Sequence, residues 1–271
     1  MVRNSLFLFS IIAFIMLVSC SKYQKMLKST DNELKYEKAV EFYEKGDYYR
    51  ALQLFDGLIP VFRGTNKAEK LYFYYAYCYY NEHDNVMASY YFGRFAQSFP
   101  NSASVEEAIF MAAYCKYLDS PRFSLDQTIT KEAINELQIF INRYPYSERA
   151  KQATLLLDEL RYKLQLKDYN IANMYYKMED FQAAIVSYEN MLKAYPDTDF
   201  KEEILYRIIK SYYNYAMKSI PEKKKERYES AVKAYFDFIS LYPESKYFKE
   251  VQTMRDRVVK ELKNFEQQQI Q

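Results

Sequence analysis

The stretch AVEFYEKGDYYRALQLFDGL, residues 39 to 58, decides how this chain is read, because it returns in altered form. AYCYYNEHDNVMASYYFGRF begins at Ala76 and ANMYYKMEDFQAAIVSYENM at Ala172. In all three a second alanine follows twelve residues after the first, at Ala51, Ala88 and Ala184. Two further copies begin at Ala113 and Ser211, with second alanines at Ala133 and Ala231, twenty residues on, so each is expected to hold eight extra residues in its internal turn. Four residues beyond the second alanines stand Phe55, Phe92, Leu137, Tyr188 and Tyr235; seven beyond, Leu58, Phe95, Phe140, Met191 and Phe238. Steps of four and three place these side chains on one helix face, repeated five times.

Pro100, Pro145, Pro196 and Pro243 close four of these helices, with Arg63 breaking the pattern in the first copy. Proline cannot continue a helix, and Ser102, Ser147, Thr198 and Ser245, two residues later, are expected N-caps of the next one. The alanines have a steric reason: where two helices cross, a methyl group lets the backbones approach and large neighbours fill the space. With only four glycines and seven prolines in 271 residues, an all-α fold is expected. Alanine, alanine, aromatic and proline in this order resemble tetratricopeptide repeats over roughly residues 33–245. The resemblance implies a right-handed solenoid of five helix-turn-helix repeats plus a C-terminal helix.

One connection is longer than the rest. From Pro145 to Ala172 there is neither glycine nor proline, and apolar residues recur at Ala153, Leu156, Leu157, Leu160, Leu164 and Ile171. A single helix of about 30 residues, roughly 45 Å long, is expected there. The domain organisation follows: a signal peptide over 1–19, an acylated tether over 20–32, repeats one to three over 33–145, the connecting helix with repeats four and five over 146–243, and a capping helix and tail over 244–271.

The amino-terminal assignment rests on the run Ser5 to Val18, fourteen uncharged residues after Arg3. It is too short to span a bilayer, which takes about twenty, and suits a signal-peptide core. Leu17-Val18-Ser19-Cys20 closes it and resembles a bacterial lipobox, which implies a lipid attached to Cys20. Ser21, in place of a retention aspartate, implies the outer membrane, and the absence of an acidic cluster after it implies the periplasmic face. Loss of residues 1–19 removes only Arg3 from the 38 basic residues, leaving 37 against 36 acidic ones. That near-balance lacks the basic stripe of a nucleic-acid binder.

Catalytic constellations are missing from the sequence. His83, the only histidine, occupies the turn position held by Gly46 in the first copy, where a solvated residue is expected rather than a metal ligand. Four glycines hardly build a phosphate loop. Cys78 and Cys115 sit at equivalent points of neighbouring helices, about 8 to 10 Å apart in such stacks, too far for a disulfide. Both are expected to be small packing residues. No catalytic residue, metal site or cofactor beyond the lipid on Cys20 is expected, and the chain is read as a non-enzyme.

The aromatic residues are more informative. At three before, one after and four after each first alanine, twelve of fifteen positions are aromatic. They form a stripe along each first helix that is either an open trough or packed core. Tyrosine favours the trough, since a ring buried on one side can keep its hydroxyl wet. Lipobox, five repeats, long connector and C-terminal helix together resemble the BamD family of outer-membrane assembly lipoproteins. That resemblance implies a scaffold that holds a BamA-like barrel subunit with its back half and receives unfolded outer-membrane-protein segments in its front half. The client groove would comprise Tyr36, Tyr43, Phe73, Tyr77, Tyr80, Phe110, Tyr114 and Tyr117, and the partner contact Tyr212 and Tyr215. Another periplasmic tetratricopeptide lipoprotein, serving division or peptidoglycan coordination, and a glycan-binding lipoprotein are the alternatives, the absence of tryptophan counting against the last.

Overall fold

In a computed structural model of the chain, which describes residues 23–268, the repeats fold as consecutive helical hairpins. The first pairs α1 (Asn32–Glu44) with α2 (Tyr48–Phe62), the second α3 (Ala68–Asn81) with α4 (Asn85–Ser98), and the third α5 (Val105–Asp119) with α6 (Thr128–Arg143). The 30-residue helix α7 (Glu148–Lys177) pairs with α8 (Phe181–Ala194), then α9 (Lys201–Met217) with α10 (Pro221–Leu241), and α11 (Phe248–Gln268) follows. No strand occurs among the described residues, and none of their helices is long and apolar enough to cross a membrane. The lipobox and Cys20 lie outside the described residues. Two compact units are distinguished, the first ending at Leu160 and the second resuming at Arg161, within α7.

Three hairpins share one turn chemistry. Gly46, His83 and Glu179 have φ of 76°, 62° and 64°, the left-handed conformation. Behind each, two backbone N–H groups bond back to the end of the first helix, as Asp84 N to Tyr79 O at 2.9 Å and His83 N to Tyr80 O at 3.1 Å. This is a helix stop by a left-handed residue. The next residue is always aspartate: Asp47, Asp84 and Asp180 accept from the N–H groups of Arg50, Met87 and Ala183 and so start the second helix. A side chain is strained at such φ and glycine is not. His83→Gly is therefore expected to stabilise the chain by about 1 kcal/mol, read as a higher urea midpoint by far-UV circular dichroism. An unchanged or lower midpoint would contradict the turn assignment.

Ser102, Thr198 and Ser245 stand two residues or more ahead of their helices and are not N-caps; Ser147 immediately precedes α7. Their hydroxyls accept from the N–H two residues on, at Ser104, Phe200, Tyr247 and Arg149. They also donate to an acidic or amide side chain of the preceding repeat: Ser102 to Glu69 at 2.6 Å, Ser147 to Glu106 at 2.5 Å, Thr198 to Gln165 at 2.8 Å and Ser245 to Glu202 at 2.6 Å. These residues tie one repeat to the next as well as shaping the turn.

The repeated alanines and the residues four beyond them make the core. Ala51, Ala76, Ala88, Ala113, Ala133, Ala172 and Ala184 are fully buried, as are Phe55, Phe92, Leu137 and Tyr188. Cys78 and Cys115 are free and fully buried, and burial pushes both thiols up to about 12. In the first unit Ala153, Leu157 and Leu160 of α7 pack on the third hairpin; in the second, Ala172 of the same helix packs on Ala184 and Tyr188 of α8. Val251, Met254 and Val258 of α11 are buried against residues of α9 and α10, such as Tyr206, Phe238 and Ala231.

The fifth copy differs from the sequence alignment in two ways. Ala76 and Ala113 lie eight residues after the start of their helices, and the residue at that point of α9 is Ile209, not Ser211. The Ser102–Glu69, Ser147–Glu106 and Ser245–Glu202 bonds confirm this register, because each acceptor is the second residue of its helix. Ser211 instead matches Cys78 and Cys115, and is as buried as they are. The extra residues of the third copy form a loop before α6, whereas those of the fifth extend α10 backwards to Pro221, which takes the first helical position.

Candidate functional site

The stripe of the first unit is neither sealed nor free. Tyr36, Tyr43, Phe73, Tyr77, Tyr80, Tyr114 and Tyr117 are half-buried, and only Phe110, at 4% exposure, is buried. One edge of several rings rests on the hairpin's second helix. Phe73 meets Phe95 at 5.1 Å between centroids, Tyr77 meets Phe92 at 4.9 Å, and Phe110 meets Phe140 at 5.4 Å. Other contacts join neighbouring first helices: Tyr43 stacks on Tyr74 at 4.0 Å and Tyr80 meets Tyr114 at 6.4 Å. Phe110, Tyr114 and Tyr117 stack in sequence along α5. Offset and edge-on ring pairs of this kind add about 0.5–1.5 kcal/mol each beyond their buried area, so the stripe is a pre-ordered surface.

Polar groups that the sequence reading did not single out are set into it. The Tyr77 hydroxyl donates to Glu107, which pairs with Arg149 at 3.2 Å, and the Arg149 guanidinium lies 5.8 Å from the Phe110 ring centre. The Tyr117 hydroxyl donates to Glu159 at 2.6 Å. Burial and then the Glu107 carboxylate raise the Tyr77 hydroxyl well above the ordinary tyrosine value. For Tyr117 the Glu159 carboxylate acts first and burial second, pushing it up to about 12. Both hydroxyls therefore stay protonated donors at any physiological pH. The signal for Glu107 and Arg149 was position: each is near the start of a first helix, one repeat further on. The surface offers rings, hydroxyls and one ion pair, and among the described residues no group of candidate metal ligands converges.

In the second unit the register shift separates the expected residues from the stripe. The positions matching Phe73, Tyr77 and Tyr80 are held by Tyr206, Lys210 and Tyr213, not by Ile208, Tyr212 and Tyr215. Tyr206 stacks on Tyr247 at 4.0 Å and donates to Glu250 at 2.8 Å, and Lys210 pairs with the same carboxylate at 2.9 Å. Tyr212 and Tyr215 line a separate cleft between α8 and α10. Their hydroxyls reach Glu189 at 3.2 Å and Gln182 at 2.8 Å, and Arg227 lies 3.6 Å from the Tyr215 ring centre. Tyr169 and Tyr176 hold the stripe positions of α7, against Tyr188 and Phe181 of α8.

The sequence profile of the YfiO family, described as outer membrane lipoprotein, matches residues 28–228. The outer membrane protein assembly factor BamD of Caulobacter vibrioides is 28% identical over 119 residues, 44% of this chain and 39% of that protein. The factor of the same name from Pasteurella multocida is 23% identical over 70% of this chain and 76% of its own length. The one from Buchnera aphidicola is 25% identical over 82% of this chain and 94% of its own. Among solved structures, a TPR repeats protein from Bacteroides fragilis aligns with 85% of this chain and 98% of its own, at 16% identity and a TM-score of 0.39.

Proposed function

This chain belongs to the YfiO family of outer membrane lipoproteins, and from that premise we propose that it is a non-enzymatic assembly factor for outer-membrane β-barrel proteins. In this reading a lipid on Cys20 holds it at the periplasmic face of the outer membrane. The first unit receives unfolded barrel segments on the stripe from Tyr36 to Tyr117. The second docks a BamA-like barrel subunit, with Tyr212 and Tyr215 contributing through the cleft between α8 and α10. The observation that carries the client role is the half-exposed ladder of rings with protonated hydroxyls. An extended segment ending in aromatic residues can lay its rings against this ladder while the hydroxyls and the Glu107–Arg149 pair meet its backbone. Rigid amphipathic rings do this at low entropic cost, and no covalent step is needed.

The test is a titration of the full chain with a fluorescent peptide that matches the last strand of an outer-membrane barrel protein. Saturable binding at about 1–100 μM is expected, weak enough for release. A scrambled peptide of equal composition should bind at least about tenfold more weakly. Equal affinity for both would remove the client role. Cys20→Ser should abolish palmitate labelling and release the chain from membranes while leaving that titration unchanged.

A further inference from the structure

On the face of α5 opposite Phe110, Tyr114 and Tyr117, a cleft runs between α4 and α6. Two adjoining cavities of ≈ 360 and ≈ 390 Å³ share Gly93, Gln97, Ala112 and Glu136. The lining includes small residues, Ser89, Gly93, Ala96 and Ala112. Its apolar walls stand in solvent: Val86 is 69% and Tyr90 56% exposed on α4, and Ile139 50% exposed on α6.

Gly93 is the telling residue. It sits inside α4 with ordinary helical φ, where glycine weakens a helix relative to alanine. A Cβ built on it meets nothing within 4 Å, so the fold itself has no steric need for glycine there. The four other copies place Asp56, Gln138, Glu189 and Phe236 at the same distance from the second alanine. An absent side chain at the centre of an apolar cleft is explained if another backbone approaches from outside.

Charge gives the occupant a direction. Asp119 and Glu132 stand toward the end made by the first turns of α4 and α6, Glu136 lies midway where the two cavities adjoin, and Lys116 bonds to Glu132 at 2.9 Å and to Glu136 at 2.6 Å. Arg94 and Arg143 stand toward the other end. An extended strand gains no main-chain ladder from helix walls, which have no free backbone edge to pair with it. A helix satisfies its own backbone and presents only a side-chain stripe.

We propose that this cleft docks an amphipathic α-helix of a partner protein, acidic in its first turn, apolar with small residues along one stripe, and basic in its last turn. It lies antiparallel to α4 and α6. Its acidic start meets Arg94 and Arg143 and its basic end meets Asp119 and Glu132; those terminal charges also suit the partner helix's own macrodipole, which runs antiparallel to those of α4 and α6. From Val86 to Gln97 the cleft covers about 16 Å, roughly three helical turns. Small residues at Gly93 and Ala112 let the axes come to the short end of the 8–10 Å range for packed helices.

The test uses the full chain and two fluorescein-labelled peptides of about four turns. One carries glutamates first, a leucine and alanine stripe, and lysines last; its twin has the charges exchanged. The first is expected to bind at least about tenfold tighter at low salt, with the difference shrinking as salt is added. Gly93→Leu should abolish binding with a thermal midpoint at least equal to the parent's. Gly93→Ala should weaken binding with a raised midpoint, and Glu132→Lys with Arg143→Glu should invert the charge preference. The barrel-peptide titration should not change in any of these variants, which separates this cleft from the stripe. Equal binding of the twins, no binding at about 1 mM, or unchanged binding by Gly93→Leu would overturn the proposal. So would self-association of the chain that Gly93→Leu abolishes, which would assign the cleft to a second copy.

Discussion

Phe92→Ala is expected to lower the stability of the first unit by about 3–5 kcal/mol. The ring is fully buried four residues after Ala88, where the two helices of the second hairpin meet. Phe73 lies 6.2 Å and Tyr77 4.9 Å from it, centre to centre. Truncation leaves a cavity beneath both stripe rings, so barrel-peptide affinity should fall together with stability. Ala172, Tyr188 and Ile204 of the second unit belong to a different core and should keep their own transition. With no tryptophan in the chain, circular dichroism in urea is the suitable probe, and two transitions are expected in the variant with only the earlier one displaced. Tyr77→Phe is the companion variant: it keeps the ring on Phe92 and removes only the hydroxyl that Glu107 accepts, at a cost of about 1–3 kcal/mol. A Phe92→Ala midpoint within about 0.5 kcal/mol of the parent would mean that the crossing alanines do not mark the core.

The repeat could be read from the sequence because its spacing is dictated by sterics: a methyl at each crossing, a large ring one turn later, a proline where the helix must end. The turn residues were legible only in part. Gly46 announces its left-handed φ, but His83 and Glu179 adopt the same conformation without glycine, and their mark is the aspartate that follows. The fifth copy was misaligned because Ser211 is the small residue nearest the expected place, while the fold puts Ile209 there. Spacing along the chain does not reveal this, since Ser245 lies 43 residues beyond Glu202 but Ser102 only 33 beyond Glu69; the register shows in the hydrogen bonds themselves. Tyr212 and Tyr215 moved to another face for that reason alone. The Glu107–Arg149 pair was hard to find, since its partners lie 42 residues apart and only their shared place near the starts of successive first helices links them.

Tyr80→Ala combined with Tyr114→Ala is expected to weaken barrel-peptide binding by about 10–100-fold, the loss of one or two hot-spot contacts at about 1.4 kcal/mol per tenfold. These two rings are chosen because they face each other at 6.4 Å across neighbouring first helices, both half-buried, while the crossings beneath them are made by Ala76 and Ala113. Their removal therefore empties the surface without opening the core, and the helical signal should persist. If apolar contact dominates, the double phenylalanine variant keeps most of the affinity; if the hydroxyls read the client backbone, it loses nearly as much as the alanine pair. Tyr212→Ala with Tyr215→Ala should leave this titration untouched and weaken capture of the purified barrel subunit instead, since those rings line the cleft between α8 and α10. Should the two pairs exchange their effects, the register of the fifth repeat would still stand on its hydrogen bonds, but the division of labour between the units would be reversed. Should neither pair alter binding, the ladder would be only packing, for a ring that contributes to recognition cannot be removed without releasing its share of the bound peptide's contact surface.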